Sequence, residues 1–294
     1  MTLYVHFDKD IIAQVEEEEL KLPKKISEGT TGTLEVFVDG TKYAIDPDES
    51  AQTIRKPVGI YDTMFYPFLA SMALQWPDTK SDRLMATLPI DDMNQEVEYR
   101  NQLSHLEMQY SGIQSDQQKL SFNRVTLVPA VTALVYHYFS LVEDVSPGYY
   151  LFTYLGYENS EWVLLKKDDR IRPIQYGTLS KWSSMVYTRF KQFHFKEFGR
   201  SISPLDIEKA LETGYLSHMD TPADLTDDIH AFKVAASSQL NSEVYQLTQK
   251  FDVDFSVAGG DAVSEFTELE GLDANLNVLH GLKVIDRLMA GKDI

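Results

Sequence analysis

The chain contains no cysteine, which excludes disulfides, thiolate metal sites and cysteine nucleophiles. It is short of positive charge, with 27 Lys and Arg against 45 Asp and Glu and a formal net charge of −18. Such a surface repels phosphate backbones, so direct nucleic-acid binding through a basic patch is not expected. DNA, if engaged, has to come through an adaptor. No apolar run approaches the ~18–20 residues needed to cross a membrane. The amino terminus lacks the basic and apolar segments of a signal peptide, so a cytoplasmic location is expected. Internal repeats and low-complexity segments are absent. No serine sits in a Gly-x-Ser-x-Gly elbow, and no Walker or Rossmann glycine motif occurs. His105, His137, His194, His218, His230 and His280 are scattered without metal-ligand spacing, so no metal site is expected. Asp91-Asp92 and Asp227-Asp228 read as helix-start charges, not as acid/base dyads.

What is present is ordinary globular material: 294 residues, 43% hydrophobic and 24% charged, enough for one large or two medium domains. The middle of the chain holds a strand–turn–strand, with strands at Tyr149–Leu155 and Glu161–Lys166 around Gly156-Tyr157-Glu158-Asn159. Before it, Leu3–Phe7 and Ile11–Val15 read as a strand pair around Asp8-Lys9-Asp10. Thr33–Val38 and Thr41–Ile45 read as a hairpin over Asp39-Gly40, a dipeptide suited to a type I′ turn. Asp62–Gln75 is an amphipathic helix with Met64, Phe65, Phe68, Leu69, Met72 and Ala73 on one face. Strands at Arg83–Leu88 and Phe122–Val128 are closed by Pro89 and Pro129, and Asp91–Leu106 between them is helix-prone. Ala130–Val142 is an apolar helix. After the central hairpin come a third strand at Arg170–Gln175, helices at Leu179–Phe198 and from Ser203 to Thr213, and a long helix at Thr226–Lys250. Phe251–Ala258 reads as a strand stopped by Gly259-Gly260, and Asn277–Met289 as a terminal helix. Pro147-Gly148 punctuates the best boundary, giving halves at 1–142 and 143–294.

This order resembles the actin/Hsp70 architecture, and within it the ParM/StbA-type plasmid-segregation actins. Four segments carry the likeness: Ala86-Thr-Leu-Pro89, Val125-Thr-Leu-Val-Pro129, Val257-Ala-Gly-Gly-Asp-Ala262 and Asn277-Val-Leu-His-Gly281. The resemblance implies an α/β fold, ribonuclease H-like, in which two domains flank a central cleft. It also implies two hairpin turns that clasp the phosphates of ATP, and filament formation in the segregation of plasmid or phage DNA. Carried over residue by residue, the positions expected to meet nucleotide are Asp8, Asp10, Gly156, Gly259, Gly260 and Asp261.

The chemistry departs from that pattern at three places. The first turn, Asp8-Lys-Asp-Ile-Ile, has no glycine to let backbone N–H groups reach a phosphate. In the second, Tyr154 stands where the resemblance implies a metal-organising aspartate, and Glu158 directs negative charge at the same place. Ala130 follows Pro129 where a water-orienting side chain is implied, and alanine can neither accept a proton nor position water. Weak or absent ATP hydrolysis is therefore expected, with no catalytic residue assigned and no cofactor required, although ATP with magnesium stays open. Partners would be further copies of the chain, or an actin-like or adaptor protein. A non-polymerising pseudo-ATPase scaffold or regulator is one alternative. An active ATPase rearranged around Asp8, Asp10, Glu158 and Glu161 is another.

Overall fold

The computed structural model describes residues 2–8, 11–15, 18–19, 26–28, 32–38, 41–47, 65–73, 83–104, 108–112, 118–216, 223–266 and 271–291. Asp10, Asp39-Gly40, Asp62–Met64, His105 and His218 lie outside the described residues. The strands in chain order are β1 (Thr2–Phe7), β2 (Ile11–Val15), β3 (Glu18–Glu19), β4 (Ile26–Glu28), β5 (Gly32–Val38) and β6 (Thr41–Pro47). Next are α1 (Phe65–Ala73), β7 (Arg83–Thr87), a 3₁₀ turn leading into α2 (Glu96–Ser104), and β8 (Met108–Gly112). They are followed by β9 (Gln118–Leu120), β10 (Arg124–Val128) and α3 (Ala130–Leu141). The central strands are β11 (Gly148–Leu155), β12 (Ser160–Lys167) and β13 (Ile171–Thr178). Helices α4 (Trp182–Phe198) and α5 (Pro204–Thr213) come next, then the short pair β14 (Tyr215–Leu216) and β15 (Ala223–Asp224). The chain finishes with α6 (Thr226–Phe251), β16 (Phe255–Gly259) and α7 (Val278–Met289).

The chain forms two compact units. One is Met1–Leu141 with Val278–Ile294, and the other is Val142–Asn277. The sequence division ran the second half to residue 294, whereas the contacts group α7 with the first unit.

In the first unit one sheet runs β10-β7-β1-β2-β3. Strand β1 is parallel to β7 and antiparallel to β2, and β7 is parallel to β10. A strand between two neighbours and covered on both faces has no solvent side, and all six residues of β1 are buried. Its odd positions Leu3, Val5 and Phe7 join Phe65, Phe68 and Leu69 of α1 in one core cluster. Its even positions Thr2 and Tyr4 bond Asp286 of α7, at 2.9 Å and 3.0 Å from Oδ2. The Arg83 guanidinium pairs with the other oxygen of the same carboxylate. Helix α7 also crosses α3 at close range: a Cβ on Gly281 would lie 1.8 Å from the Ala133 carbonyl oxygen. A second, antiparallel sheet, β4-β6-β5-β8-β9, completes this unit.

In the second unit the sheet order is β13-β12-β11-β16, antiparallel except for the parallel pair β11–β16. Leu151, Trp162 and Leu164 of the sheet pack with Val244 of α6. Leu155 and Ala258 pack with Trp182, Val186, Ala236 and Leu240 of α4 and α6. The aromatic series of α4 is thus largely core: Trp182 and Phe190 are buried, and Phe195 alone of the large rings is mostly exposed, at 64%. Helix α5 starts as its sequence dictates, with Ser203 Oγ accepting the Asp206 N–H and Pro204 in the first turn. Helix α6 runs one residue past the expected Lys250, because Phe251 belongs to its apolar face and its ring lies 5.5 Å from that of Trp162. Asp252, at φ 49°, makes the break before β16.

Candidate functional site

Each unit brings one of the sequence-singled turns to the end of a parallel strand. In the first, Asp8 follows β1 and is half-buried. The strand end is held by Thr87 of the Ala-Thr-Leu-Pro segment. Its Oγ1 accepts the Phe7 N–H at 3.1 Å and shares a 3.0 Å hydrogen bond with Nδ1 of His6. His6 is 1% exposed, and no spacing to another histidine marks it in the sequence. Its role on this geometry is to fix the exit of β1 against β7. Ala130 opens α3 and is buried. Its methyl group offers neither charge nor hydrogen bond.

In the second unit the central hairpin turn and the end of β16 come together, because β11 is hydrogen-bonded to both β12 and β16. Tyr154 pairs across β12 with Glu161 and along β16 with Gly259. Gly156, Gly259 and Gly260, more than a hundred residues apart in sequence, are therefore neighbours, and Asp261 follows them half-buried. The space beside these glycines is filled by the Tyr154 ring. A Cβ on Gly156 would stand 2.7 Å from Tyr154 Cε1 and 2.8 Å from its hydroxyl oxygen. A Cβ on Gly260 would stand 2.8 Å from Tyr154 Cδ2 and Cε2, on the opposite edge of the ring. The ring is thus wedged between two glycine backbones and is only 1% exposed. Gly260 adopts φ +123°, open to glycine and strained for other residues.

The turn is tied down on its other side as well. Ser160 Oγ donates to the Gly156 carbonyl at 3.2 Å, and the Tyr157 carbonyl accepts the Ser183 N–H of α4 at 3.0 Å. The Tyr157 ring meets Trp182 edge to face, with centroids 5.3 Å apart. At the other side of the turn, the Ala262 N–H donates to the Leu155 carbonyl at 3.0 Å. Glu161 is buried next to Tyr154, and Glu158 stands exposed at the tip. An anion held at helix or turn N–H groups needs backbone within reach and a favourable field. Here a phenol ring stands against the glycine backbone, and the flanking ionisable side chains are carboxylates. Among the described residues no group of three His, Cys, Asp or Glu could hold a metal ion.

No family profile matches the chain, and no curated protein does so either. Solved structures do. A ParM described as a non-polymerisable quadruple mutant matches with TM-score 0.76 at 14% identity, covering 98% of this chain and 99% of that one. A 15-stranded ParM filament from Clostridium botulinum matches with TM-score 0.75 at 13% identity, covering 97% of each chain. An archaeal actin homologue in complex with ADP matches with TM-score 0.70 at 15% identity, covering 98% and 99%. The fold is actin-like over the whole chain, similar to the ParM structures. No helix among the described residues is long and apolar enough to cross a membrane.

Proposed function

We propose that this protein is the subunit of an actin-like assembly whose nucleotide site has been closed by its own tyrosine, so that self-association proceeds without ATP hydrolysis. The observation that carries the reading is the Tyr154 ring seated between Gly156 and Gly260, two of the three glycines that the family resemblance assigns to nucleotide. Support for assembly comes from the fold neighbours, one of which is a ParM filament. ADP is bound by another neighbour of the same fold, and the residues on this chain offer that ligand a phenol ring and carboxylates instead of space and N–H groups. Asp8, Asp261, Gly156, Gly259 and Gly260 then serve as backbone turns and surface charge. The proposed setting is cytoplasmic segregation of plasmid or phage DNA. The net charge of −18 assigns contact with DNA to an adaptor protein.

Pelleting at fixed protein concentration with ATP, with ADP and without nucleotide, magnesium present throughout, tests the proposal. The expected result is one pelleted fraction in all three conditions. Pelleting that requires ATP would overturn the closed site. No pelleting under any condition would leave the non-polymerising scaffold or regulator as the better reading.

A further inference from the structure

Strand β13 is the outer strand of its sheet, and every residue in it except Gly177 is exposed. It carries three large apolar side chains in the open, Ile171 at 41%, Ile174 at 52% and Tyr176 at 64%. Beside them stand Arg170 and Arg172, with Lys166 and Lys167 across the turn. Two carboxylates share this edge: Asp169 is exposed, and Asp168 is engaged with the Arg172 guanidinium and the Arg170 N–H. The edge is therefore net basic in a chain of net charge −18. It is also barred from adding another strand. Pro173 has no N–H to donate, and the register with β12 shifts between Leu164 and Leu165. What it offers to a partner is side chains.

An acidic surface lies elsewhere in the same unit, on α5, β15 and the start of α6: Asp206, Glu208, Glu212, Asp224, Asp227 and Asp228, with Lys209 among them. Tyr187 reports its field. Its hydroxyl donates to Glu208 at 3.3 Å, and burial together with the Glu208 carboxylate pushes its pKa far above the ordinary value. This surface belongs to the amino end of α6, where Ile229 packs with Ile207 and Ala210. Trp162 and Leu164 of β12, the strand beside β13, pack instead on Val244, fifteen residues further along α6 and roughly 22 Å from Ile229 at 1.5 Å per residue.

We infer that the β12–β13 edge of one copy docks by its side chains onto the acidic end of α5 and α6 of a second copy. This rests on the self-association reading above. Two different patches on one chain make a heterologous contact, and such contacts repeat head to tail into an open polymer unless the rotation closes. Complementary charge between the patches steers and registers the contact, while Ile171, Ile174 and Tyr176 supply the apolar surface.

The test compares critical concentrations for pelleting of the wild type, Arg170→Glu/Arg172→Glu, Glu208→Lys/Glu212→Lys and the combination of all four changes. All four side chains are exposed, and circular dichroism checks that each variant is folded. Each reversal alone is expected to raise the critical concentration about tenfold or more, and the combination to restore most of the loss. Equal assembly by the wild type and the Arg170/Arg172 variant would overturn this contact while leaving self-association intact. The same holds if both reversals weaken assembly but their combination is no better than either. A wild type that never assembles would overturn the self-association reading and this inference together.

Discussion

Replacing Gly281 by alanine puts helix propensity and packing in direct opposition, and the structure decides which wins. Propensity favours alanine inside a helix by about 1 kcal/mol. The new Cβ, however, would lie 1.8 Å from the Ala133 carbonyl oxygen and 2.4 Å from its carbon. Reaching ordinary contact near 3.4 Å requires α7 to retreat from α3 by roughly 1.5 Å. Leu134 on α3 and Leu282 on α7, each next in sequence to a residue of the crossing, are fully buried, and a retreat of that size is expected to loosen the packing of both. Full burial of a leucine is worth about 1.5–3 kcal/mol, so losing half of it at each costs about 1.5–3 kcal/mol. Strain on neighbouring side chains adds about another 1 kcal/mol. The net expectation is destabilisation by about 1.5–3 kcal/mol, read as a lower urea midpoint by far-ultraviolet circular dichroism. Because the obstacle is a main-chain carbonyl, Ala133→Gly in the same molecule should not restore the loss. An unchanged or raised midpoint in Gly281→Ala would refute the close crossing of the two helices.

The Asp286 carboxylate receives Thr2, Tyr4 and Arg83, so Asp286→Ala removes the acceptor that two hydroxyls and a guanidinium share. Arg83 retains partial exposure, which puts the expected cost near the lower bound for a broken buried pair, about 3 kcal/mol by urea unfolding. A midpoint within error of the wild type would count against the network. Burial, with the Asp286 carboxylate beside it, pushes the Tyr4 pKa up from 10.0 to about 12. A raised folded pKa means that this contribution is fully present below pH 10 and is lost as pH climbs towards 12. Urea midpoints measured between pH 9 and 12 should therefore fall more steeply for the wild type than for Tyr4→Phe. Parallel slopes would show that Tyr4 does not titrate in the folded protein as its surroundings require.

Much of the architecture was legible in the sequence because the punctuation is strong. Pro89 and Pro129 end the strands they were expected to end, Ser203-Pro204 starts α5, and Gly259-Gly260 closes β16 next to the central hairpin. The strands β4 and β9 were not legible, since three residues are too few to show a period of two. Nor was the return of α7 to the first unit. Its apolar face announces that it is buried, but the partner is selected by Gly281 and Asp286, whose contacts lie 148 and 203 or more positions away along the chain. The same limit applies at the candidate site. In sequence Tyr154 reads as the loss of an aspartate. Only the parallel pairing of β11 with β16 reveals the ring as an occupant of the space between Gly156 and Gly260.

Calorimetric titration of the wild-type protein with ATP and magnesium tests the closed site most directly. The Tyr154 ring predicts no heat of binding up to millimolar nucleotide, while the same preparation pellets in a parallel tube. Saturable binding in the micromolar range would contradict it, since the space between Gly156 and Gly260 cannot hold both the ring and a phosphate.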